Sequence, residues 1–131
     1  MRYVLACLVA VSLLFAVEVS AQKAPQTATQ FFQEYQAAWA KAKSMDTMLP
    51  FMDKESRGKY DATPKDQRQP MFEMLKAMSP TSVKVIKETK TTAGYMLDLT
   101  GVDSDKKTVT GTAEIVMEGG AMKLKGENWT L

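Results

Sequence analysis

Two residue types on which much enzyme and metal chemistry depends are almost missing from this chain. Among its 131 residues histidine is absent, and cysteine occurs once, as Cys7. The absence of histidine excludes Ser-His-Asp and Cys-His triads, histidine general bases, histidine-ligated haem and ordinary zinc sites. A lone cysteine has no partner for an intrachain disulfide. We therefore predict no catalytic residue, no metal ligand and no cofactor.

The chain also lacks an excess of charge of either sign. It carries 17 basic and 15 acidic side chains, a net charge of +2. The longest run of like charge is Lys106-Lys107. This balance gives no electrostatic reason to expect a nucleic-acid partner. With 45% hydrophobic and 24% charged residues, the composition is that of an ordinary globular domain.

The N-terminal segment has the pattern of a secretory signal peptide. Arg2 precedes an apolar run over residues 3–17, and small residues follow at Val19-Ser20-Ala21. We predict that residues 1–21 are removed after Ala21 and that the protein is exported, to the periplasm or the medium. The run is shorter than the roughly 20 residues that cross a bilayer, so no membrane association is expected after cleavage.

Cys7 leaves with this segment under that prediction. The alternative, a lipidated cysteine, conflicts with its place near the start of the apolar run, since a lipoprotein cysteine follows the run. The exported chain then has no thiol, and its core alone must hold it together. We divide it into a flexible polar leader, 22–28, and a single domain, 29–131.

Helical periodicity fills the first half of this domain. Side chains recur at three- and four-residue steps and predict a helix over 29–43, with an apolar stripe of Phe31, Phe32, Tyr35, Ala38, Trp39 and Ala42. A second, shorter helix is predicted to begin at Asp46 and to break at Gly58. A third runs from Thr63-Pro64 to Ser79-Pro80, with an apolar face of Met71, Phe72, Met74, Leu75 and Met78.

The period changes to two after Thr81, which predicts strands. Gly119-Gly120 favours a two-residue hairpin that pairs Met117 with Met122, Ile115 with Leu124 and Ala113 with Gly126. A five-residue loop at 103–107 sets Leu99 opposite Gly111, Leu97 opposite Ala113 and Tyr95 opposite Ile115. A turn near Thr91 brings Val83 and Val85 alongside Leu99 and Leu97, and Lys84 opposite Asp98. The predicted fold is α+β, with three N-terminal helices on a curved four-stranded antiparallel meander.

This order of elements resembles a known superfamily. The stretch from Phe31 to Tyr60 is similar to the first two helices, and Lys123 to Trp129 to the last strand, of small secreted bacterial members of the nuclear transport factor 2-like superfamily. The resemblance implies a cone with a cavity between sheet and helices, and it implies no single activity, since the superfamily holds isomerases, dehydratases, epoxide hydrolases and binding modules. A cystatin-like domain, one helix wrapped by a sheet, is the alternative fold.

The first function predicted is non-enzymatic binding of an unknown small molecule or protein. Tyr35, Trp39 and Tyr95 are predicted to line a ligand pocket over the small residues Gly111, Ala113 and Gly126. The alternative is that these aromatic side chains pack directly on the small residues as core.

Two other functions compete with this interpretation. Met45, Met48 and Met52 repeat the spacing of Met71, Met74 and Met78, and clustered thioethers bind Cu(I) or Ag(I), although the same spacing is the apolar stripe of a helix.

The second competing function is catalysis on a small molecule bound in the cavity. The predicted register opposes it because it leaves no acid on the inner face: Asp98 and Glu114 point outwards.

Overall fold

The computed structural model describes residues 26–130 and confirms the predicted fold class. Helices α1 (Ala28–Lys41), α2 (Lys54–Ala62) and α3 (Lys65–Met78) precede the strands, and a 3-10 helix (Met45–Phe51) joins α1 to α2. The strands β1 (Thr81–Lys90), β2 (Gly94–Val102), β3 (Thr108–Glu118) and β4 (Ala121–Thr130) form an antiparallel meander in the order β1-β2-β3-β4. The sheet is curved and open, with the helices N-terminal to it.

Helix α1 is capped from both nearby and distant sequence. Thr27 Oγ1 accepts a hydrogen bond from the Gln30 amide at 3.1 Å, and the Gln30 side chain accepts one from the Thr27 amide at 2.9 Å. The Glu88 carboxylate of β1 accepts from the amides of Ala28 and Thr29, each at 3.2 Å. These bonds satisfy the free N–H groups of the first turn, so α1 begins at Ala28, one residue before the predicted helix start.

The segment between α1 and α3 differs from its prediction. Asp46 does not cap a helix; it accepts a hydrogen bond from the Tyr60 hydroxyl at 2.7 Å. Asp53 is the cap of α2, accepting from the Ser56 amide at 3.0 Å, and Gly58 lies inside that helix. The start of α2 is also held from the sheet, because Glu118 accepts from the Lys54 amide at 2.8 Å. A helix can therefore continue through Gly58, despite its low propensity.

Helix α3 has the predicted end at Ser79-Pro80 and continues through Pro70. The predicted burial of its apolar face is wrong, because Phe72 is the only fully buried residue among the described residues of α3. Met74, Leu75 and Met78 are 55%, 39% and 64% exposed. Met74 is consequently a surface side chain, and truncating it opens no cavity.

The strand registers test the predicted turns. The β2–β3 pairing is confirmed, with Leu97 opposite Ala113 and Leu99 opposite Gly111. The Gly119-Gly120 turn is confirmed as well, with φ of +60° and +79°. The predicted β1–β2 pairing is wrong: Lys87, and not Lys84, lies opposite Asp98, because the turn occupies residues 91–93 and is centred further along the chain than predicted.

A bulge in β4 corrects the predicted β3–β4 register. Met117 pairs with Met122 and Ile115 with Leu124 as predicted, but Glu114 then pairs with Gly126 and Ala113 with Glu127. Lys125 is the extra residue, and an extra residue shifts everything beyond it to the opposite face. Glu127 and Trp129 therefore lie on the inner face of the sheet, opposite Ala113 and Gly111.

Two groups of buried side chains hold these layers together. The first lies between α1 and the sheet and centres on Phe32, Leu97 and Ile115, all almost fully buried. The second lies among the helices and centres on Met48, Tyr60 and Phe72. Within residues 26–130, every helix is too short or too polar to traverse a bilayer.

Candidate functional site

A cavity of about 330 Å³ opens between the helices and the inner face of β4. The helices contribute aromatic and aliphatic side chains to one wall, and β4 contributes Leu124, Glu127 and Trp129 to the other. The lining contains three aromatic residues and four thioethers: Tyr35, Trp39, Trp129, Met45, Met48, Met52 and Met78. Such a concave, mostly apolar site with few polar groups is typical of small-molecule binding.

The structure brings together two of the three predicted pocket residues. Tyr35 and Trp39 line the cavity, with ring centroids 6.5 Å apart and planes inclined by 21°. Tyr95 is not part of this lining; it pairs with Ile115 and packs against the core between α1 and the sheet. Tyr35 also packs on Phe32, at a centroid distance of 5.7 Å, so an aromatic residue of α1 serves both core and cavity.

The small residues predicted to leave space differ in what covers them. A Cβ atom on Gly111 would lie 2.6 Å from Trp129 Cε3, so the indole ring already fills the space over this glycine. A Cβ atom on Gly126 would meet nothing within 4 Å. Because Gly126 pairs with Glu114 on the outer face, that space lies outside the sheet. The cavity itself lies beside β4, along Leu124, Glu127 and Trp129, and not over the middle of the sheet.

The predicted pairing of Ala113 with Gly126 placed the next residue, Glu127, on the outer face of the sheet, but the structure places it on the inner face. Its carboxylate accepts a hydrogen bond from Trp129 Nε1 at 3.0 Å and interacts with the Tyr35 hydroxyl. Burial raises the pKa of Glu127 above its ordinary value, and the two hydrogen bonds oppose that rise only in part. Burial, together with the nearby Glu127 charge, raises the pKa of Tyr35, so this phenol stays a neutral donor. The expectation of an acid-free inner face is wrong.

Glu127 has no cationic partner among residues 26–130. The ion pairs in this part of the chain join Arg57 to Glu118 at 2.7 Å, Lys59 to Glu55 at 2.8 Å and Lys125 to Glu114 at 3.4 Å. Lys125 lies on the bulge, yet its ammonium group is directed to Glu114. The carboxylate at the cavity wall is thus stabilised by neutral donors alone.

The two methionine trios do not meet as one group. Met45, Met48 and Met52 all line the cavity, together with Met78. Met71 packs among the helices, and Met74 lies outside the lining. No group of three or more carboxylate, cysteine or histidine ligands occurs in the described part of the chain.

One sequence signal could have located Glu127. Trp129 is two residues further along the strand, so the two side chains share a face whatever the register. A bulky indole at the end of an amphipathic strand favours the buried face, and placing it there turns Glu127 inwards. The predicted register contained no bulge, so it assigned Trp129 and Glu127 to the outer face, against the expected burial of the indole ring.

Comparisons with known proteins assign no family to the chain. No protein-family model, no curated protein and no solved structure matches it. The chemistry of the cavity is therefore the basis for a functional proposal.

Glu127→Gln is expected to raise stability at neutral pH. Burial disfavours the carboxylate, so the folded protein binds a proton at Glu127 more readily than the unfolded chain, whose pKa is near 4.5. The destabilisation is present above the folded pKa and disappears as the pH falls to about 4.5. Glutamine can still accept the Trp129 hydrogen bond.

Urea midpoints of both proteins at several pH values measure this difference. The gap between Glu127→Gln and wild type should be largest near neutrality and should close on acidification. Asp98→Asn, which removes an exposed carboxylate from the outer face, serves as the control. A Glu127→Gln protein less stable than wild type at neutral pH would show that the hydrogen bonds outweigh the burial.

Proposed function

We propose that this protein is an exported domain that binds a small apolar molecule in the cavity between β4 and the helices. One observation carries the proposal: a cavity of about 330 Å³ has aromatic and thioether walls and a single carboxylate, Glu127, among its lining residues. Apolar walls supply affinity through burial, and one polar group supplies orientation.

The exposed side chains of α3 support the same proposal. Leu75 and Met78 are 39% and 64% exposed, and both belong to the cavity lining. Apolar side chains left in contact with water at the edge of a cavity gain free energy when a ligand covers them. The neighbouring Met74 is exposed outside the lining and offers a comparison on the same helix.

Export and family membership belong to the proposal as well. The signal-peptide pattern lies in residues 1–21, outside the described residues, and it supports a role in the periplasm or the medium. The order of helices and strands supports the resemblance to the nuclear transport factor 2-like superfamily. A cavity between sheet and helices is the feature that this resemblance implies.

The cavity methionines favour a second candidate, binding of Cu(I) or Ag(I). Four thioethers line one cavity, and soft sulfur suits soft metals. Met52→Leu separates the candidates, because leucine keeps the apolar volume and removes the sulfur. A rise in melting temperature with Ag(I) that is lost in this variant would favour the metal, whereas retained binding of an apolar probe would favour the first candidate.

Binding of an uncharged probe, phenylbutanol, tests the first candidate. The chain has two tryptophans, and both line the cavity, so their fluorescence should change saturably on titration. Leu75→Gln should weaken binding about fivefold, since it removes roughly 1 kcal/mol of apolar contact.

Met74→Gln is the matched control for this titration. It makes the same kind of change one residue away, outside the lining, and should bind the probe as the wild type does. The proposal would be abandoned if the wild type gave no saturable signal or if the two variants weakened binding equally.

A further inference from the structure

We infer that the ligand is an apolar compound with one cationic nitrogen and that Glu127 supplies its counter-charge. This inference rests on the proposed function and adds the chemical class of the ligand. It follows from three features of the cavity: the unpaired carboxylate, the aromatic rings around it and the occupation of the nearby protein cations elsewhere.

The carboxylate has unused capacity on the cavity side. Two carboxylate oxygens accept about four hydrogen bonds, and Glu127 receives one from Trp129 and an interaction from the Tyr35 hydroxyl. Both donors are neutral. A partly buried carboxylate without a counter-charge is costly, and a cation with N–H donors would compensate it.

The aromatic walls are suited to a cation. The Trp39 ring already attracts one, since Lys76 Nζ lies 5.2 Å from its centroid. Tyr35 stacks beside Trp39, and Trp129 adds a third ring on the β4 side. An ammonium group held at Glu127 would therefore lie close to these aromatic side chains, of which Trp129 and Tyr35 direct N–H and O–H groups to the same carboxylate, while its apolar tail contacts the thioethers.

The protein's own cations near the cavity are engaged elsewhere. Lys76 donates to the backbone carbonyls of Trp39 and Ala42, at the end of α1. Lys125 pairs with Glu114 on the outer face. Lys125 is the one cation among the described lining residues, and it is already paired, so an anionic ligand would meet the Glu127 charge and the cavity disfavours that class.

Three probes with one carbon skeleton test the inference on the full exported protein. Phenylbutylamine, phenylbutanol and phenylbutyrate differ in the charge of a single head group, and tryptophan fluorescence gives the affinity of each. We expect the amine to bind about tenfold more tightly than the alcohol, as for a charge-assisted hydrogen bond, and the carboxylate to bind most weakly. This comparison on the wild type requires no variant.

Glu127→Gln adds a second, independent measurement. It keeps the shape of the side chain and removes the charge, so amine and alcohol should then bind equally. Asp98→Asn removes an exposed carboxylate from the outer face, outside the cavity lining, and should retain the preference for the amine. Circular dichroism melts verify that both variants fold.

The outcomes separate this inference from the proposed function. If none of the three probes gives a saturable signal, the proposed function fails and the inference fails with it. If the alcohol binds the wild type as tightly as the amine, or if Glu127→Gln keeps the preference, the inference is wrong while the binding cavity stands.

Discussion

Phe32→Ala should lower the free energy of unfolding by about 3–5 kcal/mol. Phe32 is 1% exposed and lies in the core between α1 and the sheet, with Leu97 and Ile115. Truncation removes its apolar contacts and leaves a cavity that well-packed strands cannot close. Urea unfolding followed by tryptophan fluorescence measures the loss.

Met74→Ala is the contrasting substitution in the same assay. Its side chain is 55% exposed, so the change should stay within about 0.5 kcal/mol. Similar losses for the two variants would mean that α1 does not lie on the sheet or that the exposed face of α3 is covered in solution.

Gly94→Ala is the second substitution with a large expected effect. A Cβ atom there would lie 2.1 Å from the carbonyl oxygen of Ile115 and 2.9 Å from Val116 Cα. Both atoms belong to the backbone of β3, so relief requires the two central strands to separate. We expect a loss of about 3 kcal/mol or more, measured by urea or thermal unfolding.

The same chemical change at Gly58 should have the opposite sign. Gly58 lies inside α2, and a Cβ atom on it would meet nothing within 4 Å. Alanine restricts the unfolded chain and favours the helix, which should stabilise the protein by about 0.5–1 kcal/mol. If both alanines were tolerated equally, the pairing of Gly94 with β3 would be wrong.

The parts of the fold that follow from local sequence could be predicted. The Gly119-Gly120 turn and the five-residue loop at 103–107 each set a register, because the loop length determines which residues face each other. The irregularities in β1 have no such local signal. They shift the pairing beyond Lys87, whereas the turn at 91–93 already sets Lys87 opposite Asp98.

The bulge in β4 depends on contacts far away in the sequence. The segment before α2 contacts the free edge of β4 at this point. Met52 forms a parallel bridge with Leu124, and the Asp53 amide donates to the Leu124 carbonyl at 3.0 Å. Ser56 Oγ donates to the Lys125 carbonyl at 3.3 Å. A strand pattern read by itself contains none of these partners.

The residues of the candidate site that depend on local sequence could be predicted, and those that depend on tertiary contacts could not. Tyr35 and Trp39 belong to the aromatic stripe of α1, whose period gives their common face directly. Tyr95 was misplaced because the inner face extends over all four strands, and its strand, β2, is separated by β3 from the β4 wall. Glu127 depends on the bulge and therefore on tertiary contacts.

Two carboxylates of the sheet cap helices that are synthesised well before them. Glu88 and Glu118 hold the first turns of α1 and α2, yet each follows its helix by about sixty residues in the chain. Both helices leave the ribosome before these acids exist, with Thr27 and Asp53 as local caps. They can form early, but the sheet fixes their positions only when β1 and β3 have been made.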